Sequence, residues 1–163
     1  MNFIKAMTPE LSLWSLTPEE ARENLADLLF LADESWQMID KYLAKTEIWA
    51  LKSKTDFVAS IAVEPKTNQQ WEIMNLAVDP RFQGHGLGSR LIKIVSDAAR
   101  ATDQKELLVG TGDASISNLS FYLHNGFRFA QIRFHFFDQY SEPIEENGIQ
   151  LRDMIVLNKR LTD

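Results

Sequence analysis

The chain has 163 residues, 45% of them hydrophobic and 25% charged, with a net charge of -6 and no cysteine. A length of this order suits one domain spanning 1–163, and the composition is that of a folding chain rather than a disordered one. The acidic balance argues against nucleic acid as a partner, and the missing cysteines remove disulfides, thiolate catalysis and cysteine metal sites. No apolar run reaches signal-peptide or membrane length, so a cytoplasmic protein with no membrane partner is expected.

Thr17-Pro18-Glu19-Glu20 joins a capping threonine, a proline at the first helical position and a glutamate three residues after the cap, which predicts a helix start. Ala21, Leu25, Leu28, Leu29 and Ala32 continue it as one apolar stripe. A second helix is expected over 35–44, with Trp36, Ile39 and Leu43 on one face. Two β-rich runs follow, 48–52 and 57–63, and the polar turn between them makes a hairpin. A turn containing Pro65 and Asn68 leads into a third strand over 71–78, which Asp79-Pro80 must end because proline has no donor for the ladder.

Beyond the proline lies Arg81-Phe82-Gln83-Gly84-His85-Gly86-Leu87-Gly88, and then a helix to about Ala101 carrying Leu91, Ile94, Val95 and Ala98 on one face. Residues 106–109 form a compact strand, and 115–125 another helix stopped by Gly126. Phe127, Phe129, Phe134 and Phe136, then Met154 and Val156, suggest two further strands around a loop over 141–150. The order of elements predicts an α/β (α+β) fold: a mixed, largely antiparallel sheet of six to seven strands flanked by about four helices.

Gly84, Gly86 and Gly88 alternate directly before a helix. Glycines there permit positive φ and bring backbone N–H groups close to a ligand, while the helix adds roughly half a positive charge, so the natural occupant is a phosphate or pyrophosphate. A tight turn that binds nothing is the competing reading. A P-loop would need lysine after its last glycine, where Ser89 and Arg90 stand. A dinucleotide fingerprint would need a glycine at Ser89 and an acidic residue on the next parallel strand. Neither fits.

The longer string Val78 to Gly88, with Leu91 and Ile92 in the helix, resembles the coenzyme A signature of the GCN5-related N-acetyltransferases (GNAT). There a Gln or Arg, two spacers, Gly, one spacer and Gly or Ala follow a valine-ended strand, and Gln83, Gly86 and Gly88 match. The family's later helix carries Asn, then Tyr four residues on, then Gly-Phe, as do Asn118, Tyr122, Gly126 and Phe127 here. The resemblance covers about 47–160 and implies the acyl-CoA N-acyltransferase fold, acetyl-CoA as co-substrate and an amine acceptor. A small molecule is preferred over a protein acceptor because no docking extension is present. It leaves homodimerisation through C-terminal strands open.

The resemblance places the pyrophosphate on the amides of Gly84, His85, Gly86, Leu87, Gly88 and Ser89, with Gln83 and Asn118 beside it. It lays the pantetheine arm along Leu76, Ala77 and Val78, where the strand must splay from its neighbour at a bulge near Asn75. An N–H near Leu76 or Ala77 then faces the thioester oxygen. Deprotonating an alkyl ammonium at pH 7 costs roughly 4 to 5 kcal/mol, so a base or water chain is needed. Glu72, about 20 Å along an extended strand from Val78, is the candidate base acting through water, against a solvated strand-edge carboxylate. Tyr122 is the candidate general acid for the leaving thiolate. On helix spacing it shares a face with Asn118, opposite a stripe of Ile116, Leu119 and Leu123 that would pack on the sheet.

His124 and His135 have no partners at metal spacing, and no metal is expected. The tryptophans and the phenylalanines of 127–137 read mainly as core, and Glu142, Glu145 and Glu146 as a solvated acidic loop. A non-catalytic acyl-CoA-binding regulator keeps the glycine loop equally well; Tyr122 favours the enzyme.

Overall fold

The computed structural model describes residues 1–66 and 69–162. Asn68, expected in the turn before the third strand, lies outside them. An eight-stranded sheet runs in the order β1-β2-β3-β4-β5-β6-β10-β7, where β1 is Asn2–Thr8, β2 Leu11–Leu16, β3 Glu47–Ser53, β4 Asp56–Pro65, β5 Gln70–Val78, β6 Glu106–Gly112, β7 Arg128–Arg133 and β10 Met154–Arg160. Every pair is antiparallel except β5 with β6. A two-residue hairpin, β8 (Glu145–Glu146) with β9 (Ile149–Gln150), stands apart.

Among the described residues five α-helices flank the sheet: α1 Pro18–Asn24, α2 Ala26–Ala32, α3 Trp36–Tyr42, α4 Leu87–Ala101 and α5 Ile116–His124. Strand alternation sorts the core into two layers. Ile48, Ala50, Ala62 and Ala77 meet Ala21, Leu25, Leu28, Leu29 and Ile39 of α1 to α3. On the other face Leu51, Ile61, Val63, Ile73 and Val109 meet Leu91, Ile92 and Val95 of α4. The three alanines on the first face leave room for α2 to lie close to the sheet.

The extra strands over the expected count come from the N-terminal hairpin. β1 is exposed along nearly its whole length, so it carries no inside-outside signal. The expected single helix over 17–32 is two. The capping box at Thr17 forms as read, with Glu20 N–H on the Thr17 hydroxyl. At the other end of α1, Asn24 donates its side-chain amide to the Glu20 carbonyl, and Leu25, non-helical and buried, joins α1 to α2.

Phe134 and Phe136 fall outside the strands; the first is 70% exposed and the second begins a short turn. Phe129, at 63%, is also exposed, because β7 is the edge of the sheet and both its faces are open. The core reading of 127–137 therefore holds for Phe127, which is fully buried, and fails for the rest.

Candidate functional site

β5 is the strand on which the site is built. It pairs with β6 only from Gln70 to Ile73, the last rung being Ile73 with Val109. From Met74 to Val78 it stays on β4 but has no partner on its other side. The cause is a bulge: Val63 faces Ile73 and Ala62 faces Asn75, so Met74 is the extra residue. It lies one position before the expected place. β6, meanwhile, keeps its pairing with β10 through Gly112 and diverges from β5. A cavity of about 920 Å³ fills this wedge.

One end of the cavity is the glycine loop. Asp79 turns the chain out of β5, its carboxylate accepting from the Arg81 N–H at 2.8 Å, and Pro80–Phe82 make a short helical turn. Gly84 and Gly86 take φ of +77° and +75°, Gly86 being the residue from which α4 starts. A Cβ built on either would meet no atom within 4 Å, so the two bare backbones border open space. Together with the first turn of a 15-residue helix, this cradle suits a diphosphate. Gly88 differs: its φ is helical, and a Cβ there would come 3.0 Å from Phe121. It is small so that α5 can pack on α4, and it lines the cavity as well.

Gln83, Gly84, Gly86, Leu87, Gly88 and Ser89 line the cavity, as do Leu76, Ala77 and Val78. The Gln83 amide donates to the Val78 carbonyl at 3.0 Å, tying the loop to the strand end. His85 is not on the wall; its ring lies against the Gln83 and Phe82 carbonyls, with Nδ1 2.8 and 3.2 Å away.

The far wall comes from β6 and α5. Asn118 is exposed at the mouth, its amide 3.4 Å from the Thr111 hydroxyl. Tyr122 is 8% exposed and packs edge-on against Phe121 and Phe127 at 5.2 and 5.5 Å, yet its side chain borders the cavity. Its hydroxyl has no hydrogen-bond partner among the described residues. Burial alone pushes that hydroxyl above its ordinary range, so it stays protonated. The expected stripe of α5 is corrected: Ile116 is exposed, Leu119 and Leu123 are half-buried, and Tyr122 is the buried residue.

Glu72 sits at the inner end. It is 5% exposed, its Oε1 accepting from Arg133 at 2.7 Å and its Oε2 lying 3.8 Å from Lys66. The solvated strand-edge alternative is thereby excluded. Arg133 was invisible to sequence reading, since nothing local marks a partner 61 residues away.

The opposite side of the wedge was also missed. Asn75 donates to the Leu29 carbonyl at 2.9 Å and to the Tyr42 hydroxyl at 3.0 Å, and Tyr140 donates to Asp33 at 3.0 Å. Phe136, Phe137, Glu146 and Tyr140 close the cavity from the long loop before β10. Among the described residues no group of three or more His, Cys, Asp or Glu is placed to hold a metal, and no helix is long and apolar enough to cross a membrane.

A split between two parallel strands, a glycine-started helix at its mouth and the buried Tyr122 on its wall match the family pattern, and direct comparison decides the matter. The model of the acetyltransferase (GNAT) domain matches residues 44–129. This chain belongs to the GNAT acetyltransferase family. It is 40% identical over 141 residues to the uncharacterized N-acetyltransferase YvbK of Bacillus subtilis (strain 168), covering 85% of this chain and 90% of that one. A GNAT family acetyltransferase from Elizabethkingia anophelis, solved with acetyl-CoA bound, is 36% identical with a TM-score of 0.86, covering 94% of this chain and 99% of that one. A Bacillus subtilis acetyltransferase solved in complex with CoA is 34% identical with a TM-score of 0.81 over the same shares. The fold is thus shared along nearly the whole chain.

Proposed function

We propose that this GNAT acetyltransferase moves the acetyl group of acetyl-CoA to a primary amine of a small molecule by direct attack, as one N-acetyltransferase domain over 1–163 acting in the cytoplasm. The observation that carries the reading is the wedge beyond Ile73 and Val109, which opens onto the Gly84 and Gly86 cradle at one end and onto Glu72 at the other. A strand with a free edge accepts an extended amide-bearing arm much as it accepts another strand. The amides from Gly84 to Ser89 receive the diphosphate, with Gln83 and Asn118 flanking it, and the edge from Leu76 to Val78 receives the arm.

The acceptor loses its proton through water towards Glu72, which Arg133 and Lys66 pair in a buried position. Its lone pair attacks the thioester carbonyl carbon, and an N–H near Leu76 or Ala77 faces the developing oxyanion. As the C–S bond breaks, the Tyr122 hydroxyl hands its proton to the departing sulfur, and the second proton of the acylated nitrogen leaves through water and restores the hydroxyl. The small-molecule preference rests on the walls at 31–34 and 136–151, which enclose the acceptor end.

A screen of primary amines that follows free thiol release tests this directly; no release above background with any amine, despite acetyl-CoA binding, rejects it. Within the mechanism, Glu72→Gln lowers kcat by about tenfold or more with acetyl-CoA affinity unchanged. An unaltered kcat removes Glu72 from proton transfer.

A further inference from the structure

The mechanism leaves one half-buried carboxylate of the cavity wall unused. Asp33 ends α2 at the acceptor side of the cavity. The groups that act on it are Tyr140, the Ser35 amide, Tyr42 and Glu34, and none is a cation. The contrast with Glu72, which has both Arg133 and Lys66, is direct. Burial pushes the Asp33 carboxyl above its ordinary range, as it does any negative charge taken from water without a positive partner.

The carboxylate is held in place by hydroxyls. Tyr140 donates to it at 3.0 Å, and Tyr42, which accepts from the Asn75 amide at 3.0 Å, has its own proton left for the same carboxylate. This chain of contacts starts at the bulge, one residue beyond Met74, and so runs from the point where the sheet opens to Asp33. A second, independent feature is Asn75 Oδ1, which is buried, belongs to a cavity-lining residue and has no donor. Its orientation is fixed, because turning the amide over would set this oxygen against the Leu29 carbonyl. A carboxylate that only hydroxyls and an amide face and an amide oxygen without a donor therefore sit on one wall.

The remaining surface there is aromatic. Phe136, Phe137 and Tyr140 pack within 5.2 to 6.4 Å of one another, centroid to centroid, and all three line the cavity. Aromatic faces beside a carboxylate favour an organic cation over a polyhydroxylated one, which would find few polar partners. Lys41 and Lys45 line the same cavity but are exposed.

We infer that Asp33, held by Tyr42 and Tyr140, is the positioning residue that anchors the acceptor as its ammonium, and that the acceptor is a primary amine on an apolar or aromatic body. This rests on the amine-acetyltransferase reading above and names its substrate class. The ammonium docks on the Asp33 carboxylate, its body lies against Phe136 and Phe137, and the nitrogen gives up its proton only at the wedge.

Hexylamine and phenethylamine serve as probes, with thiol release for turnover and calorimetry for amine binding to the CoA-loaded protein. Asp33→Asn raises the KM for both amines by about 30-fold or more, keeps kcat within about threefold and leaves acetyl-CoA affinity unchanged, and Asp33→Glu recovers part of the loss. Tyr140→Phe, which keeps the charge and removes its holder, raises KM by about threefold to tenfold. An unchanged KM in either substitution overturns the anchor, and so does a fall in kcat alone. A tenfold preference in kcat/KM for an amino sugar or a free amino acid over hexylamine overturns the apolar body. Hexylamine binding that is lost in Asp33→Asn, without any thiol release from the unsubstituted protein, would keep the anchor and reject the transfer reaction. Thiol release with other amines while both probes are ignored would do the reverse.

Discussion

Gly86→Leu weakens acetyl-CoA binding by about 100-fold or more, roughly 2.7 kcal/mol, in a protein that still folds. Gly86 has φ +75°, starts α4 and borders the cavity with no atom within 4 Å of where a Cβ would stand. A leucine there projects into open space, so no core contact is lost. What it fills is the room over the first amides of α4, the part of the molecule most attractive to an anion. The left-handed backbone adds about 1 to 2 kcal/mol of strain, which shows as a melting point lower by a few degrees. Gly148→Ala is the control: it has φ +73°, equally free space and no place on the cavity wall. Calorimetry that finds equal acetyl-CoA affinity in the two variants contradicts the cradle.

Tyr122→Phe lowers kcat by about 10²-fold or more with acetyl-CoA affinity retained. The ring is a core element packed on Phe121 and Phe127, and phenylalanine keeps those contacts. The hydroxyl has no partner among the described residues, so its removal leaves no orphaned group and little change in stability. Proton transfer is what is lost. Burial raises the tyrosine pKa, so the acid form survives past its usual titration near pH 10 and kcat shows no falling limb from this group below that pH. A limb at pH 8 to 9 that vanishes in Tyr122→Phe, or a kcat that the substitution leaves intact, removes Tyr122 from the chemistry.

What could be read in the sequence was whatever local rules dictate. The 87–101 helix, the strand-proline-glycine order before it and the capping box at Thr17 each depend on neighbours a few residues apart. The N-terminal hairpin was missed although Pro9-Glu10 offers a turn: Leu11-Ser12-Leu13-Trp14-Ser15-Leu16 does not alternate strictly, and β1 is exposed along nearly its whole length. The packing of Gly88 on Phe121 could not be read, because close packing and close approach to a ligand both select glycine. Of the acceptor wall only Glu72 could be read, and not its partners. Asp33 with Tyr140 and Glu72 with Arg133 are joined across 107 and 61 residues, and no spacing rule reaches that far.

The central claim is that the gap between β5 and β6 and the loop at its mouth receive one molecule, the acyl donor. A crystal structure with acetyl-CoA tests it most directly. The account predicts the diphosphate on the amides from Gly84 to Ser89 and the pantetheine arm beside Leu76 to Val78, with the sulfur facing Tyr122. Acetyl-CoA seated elsewhere, with β5 and β6 still parted and the glycine amides bare, contradicts it.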